Sequence, residues 1–197
     1  MTSAKPSAWV TAALLAGCAL VAGLAGFGAY RLAAGPPAFH GTTYQPPRAA
    51  PEFSLTDHDG RPVTLATYRG EPVLLFFGFT HCPDVCPLTL NRLARVAGGA
   101  RILLVTVDPA RDTPAALRAY AARFGERVTG LTGEPAALER ARAGYGAFAE
   151  PAHGGHGMLA HTPVVYGIDR RGVLRVVISE SATEAQVADD VRTLARF

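Results

Sequence analysis

The chain has 197 residues, 49% hydrophobic and 18% charged, a balance that excludes a disordered or fibrous chain and fits one globular domain behind an apolar N-terminal segment. The formal net charge is +3, and the 19 Lys and Arg are scattered rather than clustered with aromatics, which argues against a nucleic-acid partner. Of the three cysteines, Cys18 lies inside the apolar segment. The pair left over, Cys82 and Cys86, is too little for a disulfide-stapled scaffold and points to metal or redox chemistry.

From Ala8 to Tyr30 no residue is charged, and Lys5 and Arg31 flank the run. As a helix it is long enough to cross a hydrocarbon core of about 30 Å. Residues 1–32 are therefore expected to be an uncleaved transmembrane signal anchor. Leu15-Ala16-Gly17-Cys18 has the form of a lipoprotein signal-peptidase site, which would leave Cys18 as a lipidated first residue, but the apolar run continues past it to Tyr30. Simple cleavage of a signal peptide is the third reading. All three deliver the domain to the same side of the membrane.

Residues 33–52 hold Gly35, Pro36, Pro37, Pro46, Pro47 and Pro51, and read as a Pro-rich linker that cannot build a helix or a central strand. The domain proper is expected over 53–197. Phe53 to Thr56 and Val63 to Leu65 alternate apolar and polar side chains about a turn at Asp57 to Gly60, which predicts a hairpin. Val73 to Phe79 is a continuous apolar run, the pattern of a strand covered on both faces. A helix over Pro87 to Ala97 and a buried strand over Ile102 to Val107 follow. Thr113 and Pro114 then supply a cap and a first-turn proline for a helix running to Gly125.

Val164 to Ile168 and Val173 to Ile178 read as two strands joined by Asp169-Arg170-Arg171-Gly172. A last helix opens at Thr183 with capping-box spacing to Gln186. A parallel strand–helix–strand unit, then an antiparallel hairpin closed by a helix, is the thioredoxin-like arrangement of an α/β fold.

Thr80-His81-Cys82-Pro83-Asp84-Val85-Cys86-Pro87 follows the central strand and precedes a helix, at the carboxyl edge where open α/β sheets place their sites. Pro87 suits a first helical turn, so Cys86 is expected to cap the helix with its sulfur at the positive end of the dipole, where its pKa is lowered. Two thiolates on a tight turn can close on one soft ion. Cu(I) prefers such ligands at low coordination number, whereas zinc usually takes four. His161 is the best third ligand of the six histidines, because it directly precedes Thr162-Pro163 and a strand, where thioredoxin folds bring a loop against the cysteine turn. His153, His156 and Met158 lie in a glycine-rich loop leading to it and are read as solvated. Asp84, Asp108 and Asp112 are read as turn and capping residues.

The strings Gly78 to Pro87, Val107-Asp108-Pro109-Ala110-Arg111-Asp112-Thr113-Pro114 and Ala160-His161-Thr162 resemble the Sco (SenC) family of copper chaperones from about Phe53 onwards, and the N-terminal anchor is of that family's type. The resemblance implies that Cys82, Cys86 and His161 bind copper as Cu(I) or Cu(II), and that Cys82 and Cys86 form a disulfide when oxidised. It implies delivery of copper to the binuclear copper site of cytochrome c oxidase subunit II, and it makes the protein a metallochaperone rather than an enzyme. It also implies a bacterial inner-membrane location with the domain facing the periplasm or extracytoplasmic space, and periplasmic copper carriers or thioredoxin-like reductants as further partners.

The rival reading is a thiol-disulfide reductase that keeps the oxidase cysteines reduced. Three residues between the cysteines, where dedicated oxidoreductases usually have two, argue mildly against it. A peroxidase is disfavoured because Phe79 and Pro83, not threonine, stand three residues before the cysteines.

Overall fold

The computed structural model describes residues 8–33, 38–151, 159–161 and 163–197, in two units, Met1–Pro37 and Ala38–Phe197. In the first unit, helix α1 runs over Ala8–Ala33 and exposes Leu15, Leu20, Val21, Leu24 and Phe27. Among the described residues no helix is long and apolar enough to cross a membrane. The expectation of a transmembrane anchor over 1–32 thus rests on the sequence.

The second unit starts earlier than the expected boundary at residue 53. The segment read as a linker contributes strand β1 (Thr42–Ala49), antiparallel to the penultimate element of the chain, with a register shift between Thr43 and Arg48. Pro46 and Pro47 sit inside that irregularity. Proline is tolerated in an edge strand or bulge because no ladder N–H is required there, which is why the composition pointed away from a strand. The chain leading into β1 is held by Asp190, whose buried carboxylate accepts the His40 N–H at 2.7 Å and the Gly41 N–H at 3.1 Å.

β2 (Ser54–Asp57) and β3 (Pro62–Thr64) form the expected hairpin. β4 (Val73–Gly78) is buried along its whole length, followed by α2 (Val85–Val96), β5 (Arg101–Thr106) and α3 (Pro114–Ala121). Thr113 caps α3 through Ala116 N–H at 3.2 Å with Pro114 in the first turn, as expected. β6 (Val128–Thr132), α4 (Pro135–Gly144) and the short pair β7 (Ala149–Pro151) and β8 (Leu159–His161) occupy a region in which the sequence placed no element. β9 (Val164–Ile168), β10 (Val173–Ser179) and α5 (Glu184–Leu194) close the domain, α5 opening on the Thr183–Gln186 capping box. The β9–β10 turn is built by buried Asp169, which accepts the Arg171 and Val173 N–H groups, each at 2.9 Å, while Gly172 supplies φ +76°.

The main sheet has the order β1-β10-β9-β4-β5-β6-β2-β3, with β7 and β8 forming a separate two-stranded sheet. β4 pairs parallel with β5 and antiparallel with β9, the thioredoxin-like arrangement. Side chains alternate across a strand. Leu74 and Phe76 accordingly join Leu90 and Leu93 of α2, Leu117 of α3 and Val187, Val191 and Leu194 of α5 in one core cluster. Leu75 and Phe77 join Leu55, Val63, Leu138 and Tyr166 in the other. Full burial of such a side chain stabilises by about 1.5–3 kcal/mol, so a wholly buried β4 makes the carboxyl end of that strand a rigid platform.

Candidate metal centre

β4 ends at Gly78 and α2 begins at Val85, and the six residues between them form the cysteine turn. Its first residue, Phe79, is buried, and the Phe79 carbonyl accepts the Cys82 N–H at 3.3 Å. The strand end is clasped from the other side, where Val107 N–H donates to the Gly78 carbonyl at 2.9 Å. Both cysteines are thiols. Cys82 is partly buried on the turn, whereas Cys86 is 0% exposed. A Cβ on Gly78 would lie 2.9 Å from the Cys86 sulfur and 2.8 Å from the Phe76 ring. The strand backbone therefore approaches the inner sulfur more closely than any other residue type allows.

The expected role of Cys86 as a helix cap is corrected. Asp84 occupies the N-cap position by its backbone, without a side-chain capping bond, and Cys86 is the second residue of α2. Pro87 is accommodated within the first turn, where its missing N–H costs nothing. The helix N-terminus serves the other cysteine, since Cys86 N–H donates to the Cys82 sulfur at 3.4 Å. The expected lowering of the Cys86 pKa is also reversed. Burial pushes the thiol well above the ordinary range, neighbouring Cys82 and Asp112 push the same way, and a hydrogen bond from the Phe79 main chain opposes them. An outer, partly exposed sulfur is thus paired with an inner, buried sulfur whose proton is held more tightly than usual.

Asp112 is the residue the sequence undervalued. It is 0% exposed and accepts the Thr80 N–H at 3.1 Å, the Thr80 hydroxyl at 2.6 Å and the Thr106 hydroxyl at 2.6 Å. Thr80 stands two residues before Cys82, so one carboxylate ties the cysteine turn to the end of β5. Thr106 also accepts the Asp108 N–H at 2.9 Å, and Asp108 pairs with Arg111. His81 is half-exposed, with Nδ1 3.0 Å from the Thr80 hydroxyl and 3.9 Å from Asp112.

His161 is the last residue of β8, paired in register with Ala149. Three residues later β9 begins, antiparallel to β4 with Val165 opposite Phe76. The start of β9 therefore lies beside the carboxyl end of β4, the end from which the cysteine turn departs, so the topology leads the chain through His161 towards that sheet edge. His153, His156 and Met158 lie outside the described residues. Among the described side chains, which do not include that of His161, no group of three His, Cys, Asp or Glu could hold a metal, and the donors described at the turn are the two sulfurs. Two sulfurs on one turn fit a soft ion of low coordination number better than a four-coordinate metal.

The sequence model described as SCO1/SenC matches residues 41–196. The bovine mitochondrial SCO2 homolog is 35% identical over 153 residues, 72% of this chain and 58% of the bovine protein. The chain thus spans less than two thirds of that relative's length. The structure of Bradyrhizobium japonicum ScoI with copper bound is 34% identical with a TM-score of 0.64, covering 73% of this chain and 98% of that one. The solution structure of apo Sco1 from Thermus thermophilus is 32% identical with a TM-score of 0.70, covering 81% of this chain and 99% of the other.

Proposed function

The chain belongs to the SCO1/SenC family, and from that premise we propose that it binds copper through Cys82, Cys86 and His161 and delivers it to the binuclear copper site of cytochrome c oxidase subunit II. The observation that carries the reading is the cysteine turn itself. Two cysteine sulfurs, the outer one accepting the Cys86 main-chain N–H at 3.4 Å, stand at the carboxyl end of a fully buried strand, and β8 leads into β9 at that same edge. Copper replaces the thiol protons, neutral His161 supplies a nitrogen, and the ion leaves by stepwise exchange with sulfurs of the recipient. No substrate bond is made or broken. Leu88, 64% exposed in the first turns of α2, offers apolar surface beside the turn for that encounter.

Residues 1–32 act as the anchor that keeps the domain at the bacterial inner membrane, facing the periplasm. The uncharged stretch from Ala8 to Tyr30 and the outward-facing apolar side chains of α1 support this.

A thiol-disulfide reductase is the second reading, and one observation favours it. The outer sulfur is accessible and the inner one buried, the asymmetry that attack by one thiol and resolution by the other requires. Anaerobic copper titration of the reduced full-length protein in detergent, beside Cys82→Ala and His161→Ala, separates the two. One tightly bound copper lost in both variants supports the carrier. Weak copper binding together with rapid disulfide exchange indifferent to His161 would overturn it.

A further inference from the structure

His81 stands directly before Cys82 on the cysteine turn, and its side chain is 55% exposed. Which ring nitrogen carries the proton is set by what the other one meets. The buried carboxylate of Asp112 only accepts, and the Thr80 hydroxyl gives it its single proton at 2.6 Å. The second Asp112 oxygen takes the Thr106 hydroxyl, also at 2.6 Å. The Thr80 oxygen can therefore meet His81 Nδ1, 3.0 Å away, only as an acceptor. Nδ1 holds the ring proton, with Asp112 at 3.9 Å behind it, and Nε2 of the neutral ring keeps a bare lone pair.

The other histidines with described side chains are held differently. His58 Nδ1 accepts the Gly130 N–H at 3.1 Å, which puts that ring proton on Nε2, and His40 Nε2 faces the Asp189 carboxylate at 3.5 Å. An N–H backed by a carboxylate on one side of the imidazole and a free nitrogen on the other is the arrangement of metal-binding histidines. Thr80 already fastens the turn to Asp112 through its N–H and hydroxyl, so the His81 ring is not needed to hold it.

We infer, resting on the copper reading above, that His81 Nε2 is a transit ligand that takes Cu(I) from a sulfur donor of a copper carrier and passes it to Cys82. Imidazole is a suitable copper ligand, and the hand-over is short because consecutive Cα atoms lie about 3.8 Å apart. As Nε2 bonds the ion, one carrier sulfur lets go. The Cys82 thiol then gives its proton to water as its sulfur takes the ion, and Nε2 recovers its lone pair. Copper remains Cu(I) throughout, so no electron is transferred. Thr80 and Asp112 are positioning residues that fix the tautomer.

The test uses the reduced full-length protein in detergent, with His81→Asn and His40→Asn. Asparagine at 81 keeps an N–H for Thr80 but has no counterpart of Nε2. Ring-nitrogen NMR locates the proton on each histidine, stopped-flow mixing with Cu(I)–glutathione gives the uptake rate, and chelator competition gives the Cu(I) affinity. The ring proton of His81 is expected on Nδ1 and that of His58 on Nε2. His81→Asn should slow uptake about tenfold with wild-type affinity, and His40→Asn should match the wild type in both. A His81 ring proton on Nε2, a wild-type rate in His81→Asn, or equal slowing in both variants would overturn the transit role and leave the copper reading intact. Affinity falling in step with rate in His81→Asn would also overturn it, by making His81 a ligand of the resting site. A wild-type protein that takes up no copper would overturn both.

Discussion

The hydroxyl of Thr80 and the carboxylate of Asp112, 32 residues apart, meet at 2.6 Å, and through that contact the cysteine turn is fastened to the segment between β5 and α3. The contact is buried on the Asp112 side, so the carboxylate is an anchor whose loss nothing nearby replaces.

Asp112→Asn puts an amide where Thr80 and Thr106 both need an acceptor. Hydrogen bonds to a charged group contribute about 1.5–3 kcal/mol each, and we expect a loss of about 3 kcal/mol in denaturant unfolding together with weaker copper binding. Stability unchanged within experimental error would show that the carboxylate does not hold the turn.

Gly78→Ala drives a methyl group against the Cys86 sulfur and the Phe76 ring, at 2.9 and 2.8 Å. Overpacking a tight core costs about 1–3 kcal/mol. Because one of the displaced atoms is the inner sulfur, copper affinity should fall as well as the unfolding midpoint. A variant that loses stability yet binds copper like the wild type would separate the platform from the site.

Copper uptake should release protons. The folded protein raises the Cys86 thiol through burial, so at neutral pH the metal must displace a proton, and affinity should rise with pH. The slope approaches about tenfold per pH unit for each proton displaced. Cu(I) competition at a series of pH values between about 6 and 8 measures it, and a flat profile would contradict the buried thiol.

Alkaline stability is set by buried phenols. Tyr68 is pushed up to about 12 from 10.0 by burial and then by the charge of Asp57, and Tyr166 to about 12 by burial and then Tyr44. A raised folded value means the native state keeps a proton the unfolded chain gives up. The stabilisation is therefore complete below pH 10 and is lost as pH climbs from 10 to 12. Each such group adds a slope of up to about 1.36 kcal/mol per pH unit. The unfolding midpoint should fall across this window, and Tyr68→Phe should make the fall shallower.

What was legible in the sequence was local. The apolar run of β4, the Thr113–Pro114 and Thr183–Gln186 helix starts and the Gly172 turn each announce themselves within a few residues, and so does the cysteine pair. What stayed hidden depends on distance along the chain or on three-dimensional burial. Asp112 reads as a residue before a helix because Thr80 is 32 positions away. Cys86 reads as a helix cap because Pro87 hides the real start of α2, and nothing in the sequence reveals that Gly78 presses on its sulfur. β1 was obscured by its own prolines, and β6 and α4 by short segments rich in Gly and Ala.

Those prolines have an effect beyond β1. A strand at the end of a sheet exposes unpaired N–H and C=O groups that a second molecule can extend. Here one end is β1, interrupted by Pro46 and Pro47 and by its register shift. The other is β3, three residues long and opening on Pro62. Neither end offers the regular row of donors that intermolecular stacking needs. Where many copies crowd together, the sheet resists templating its neighbours into aggregates, and encounters between molecules are left to surfaces other than the strand edges.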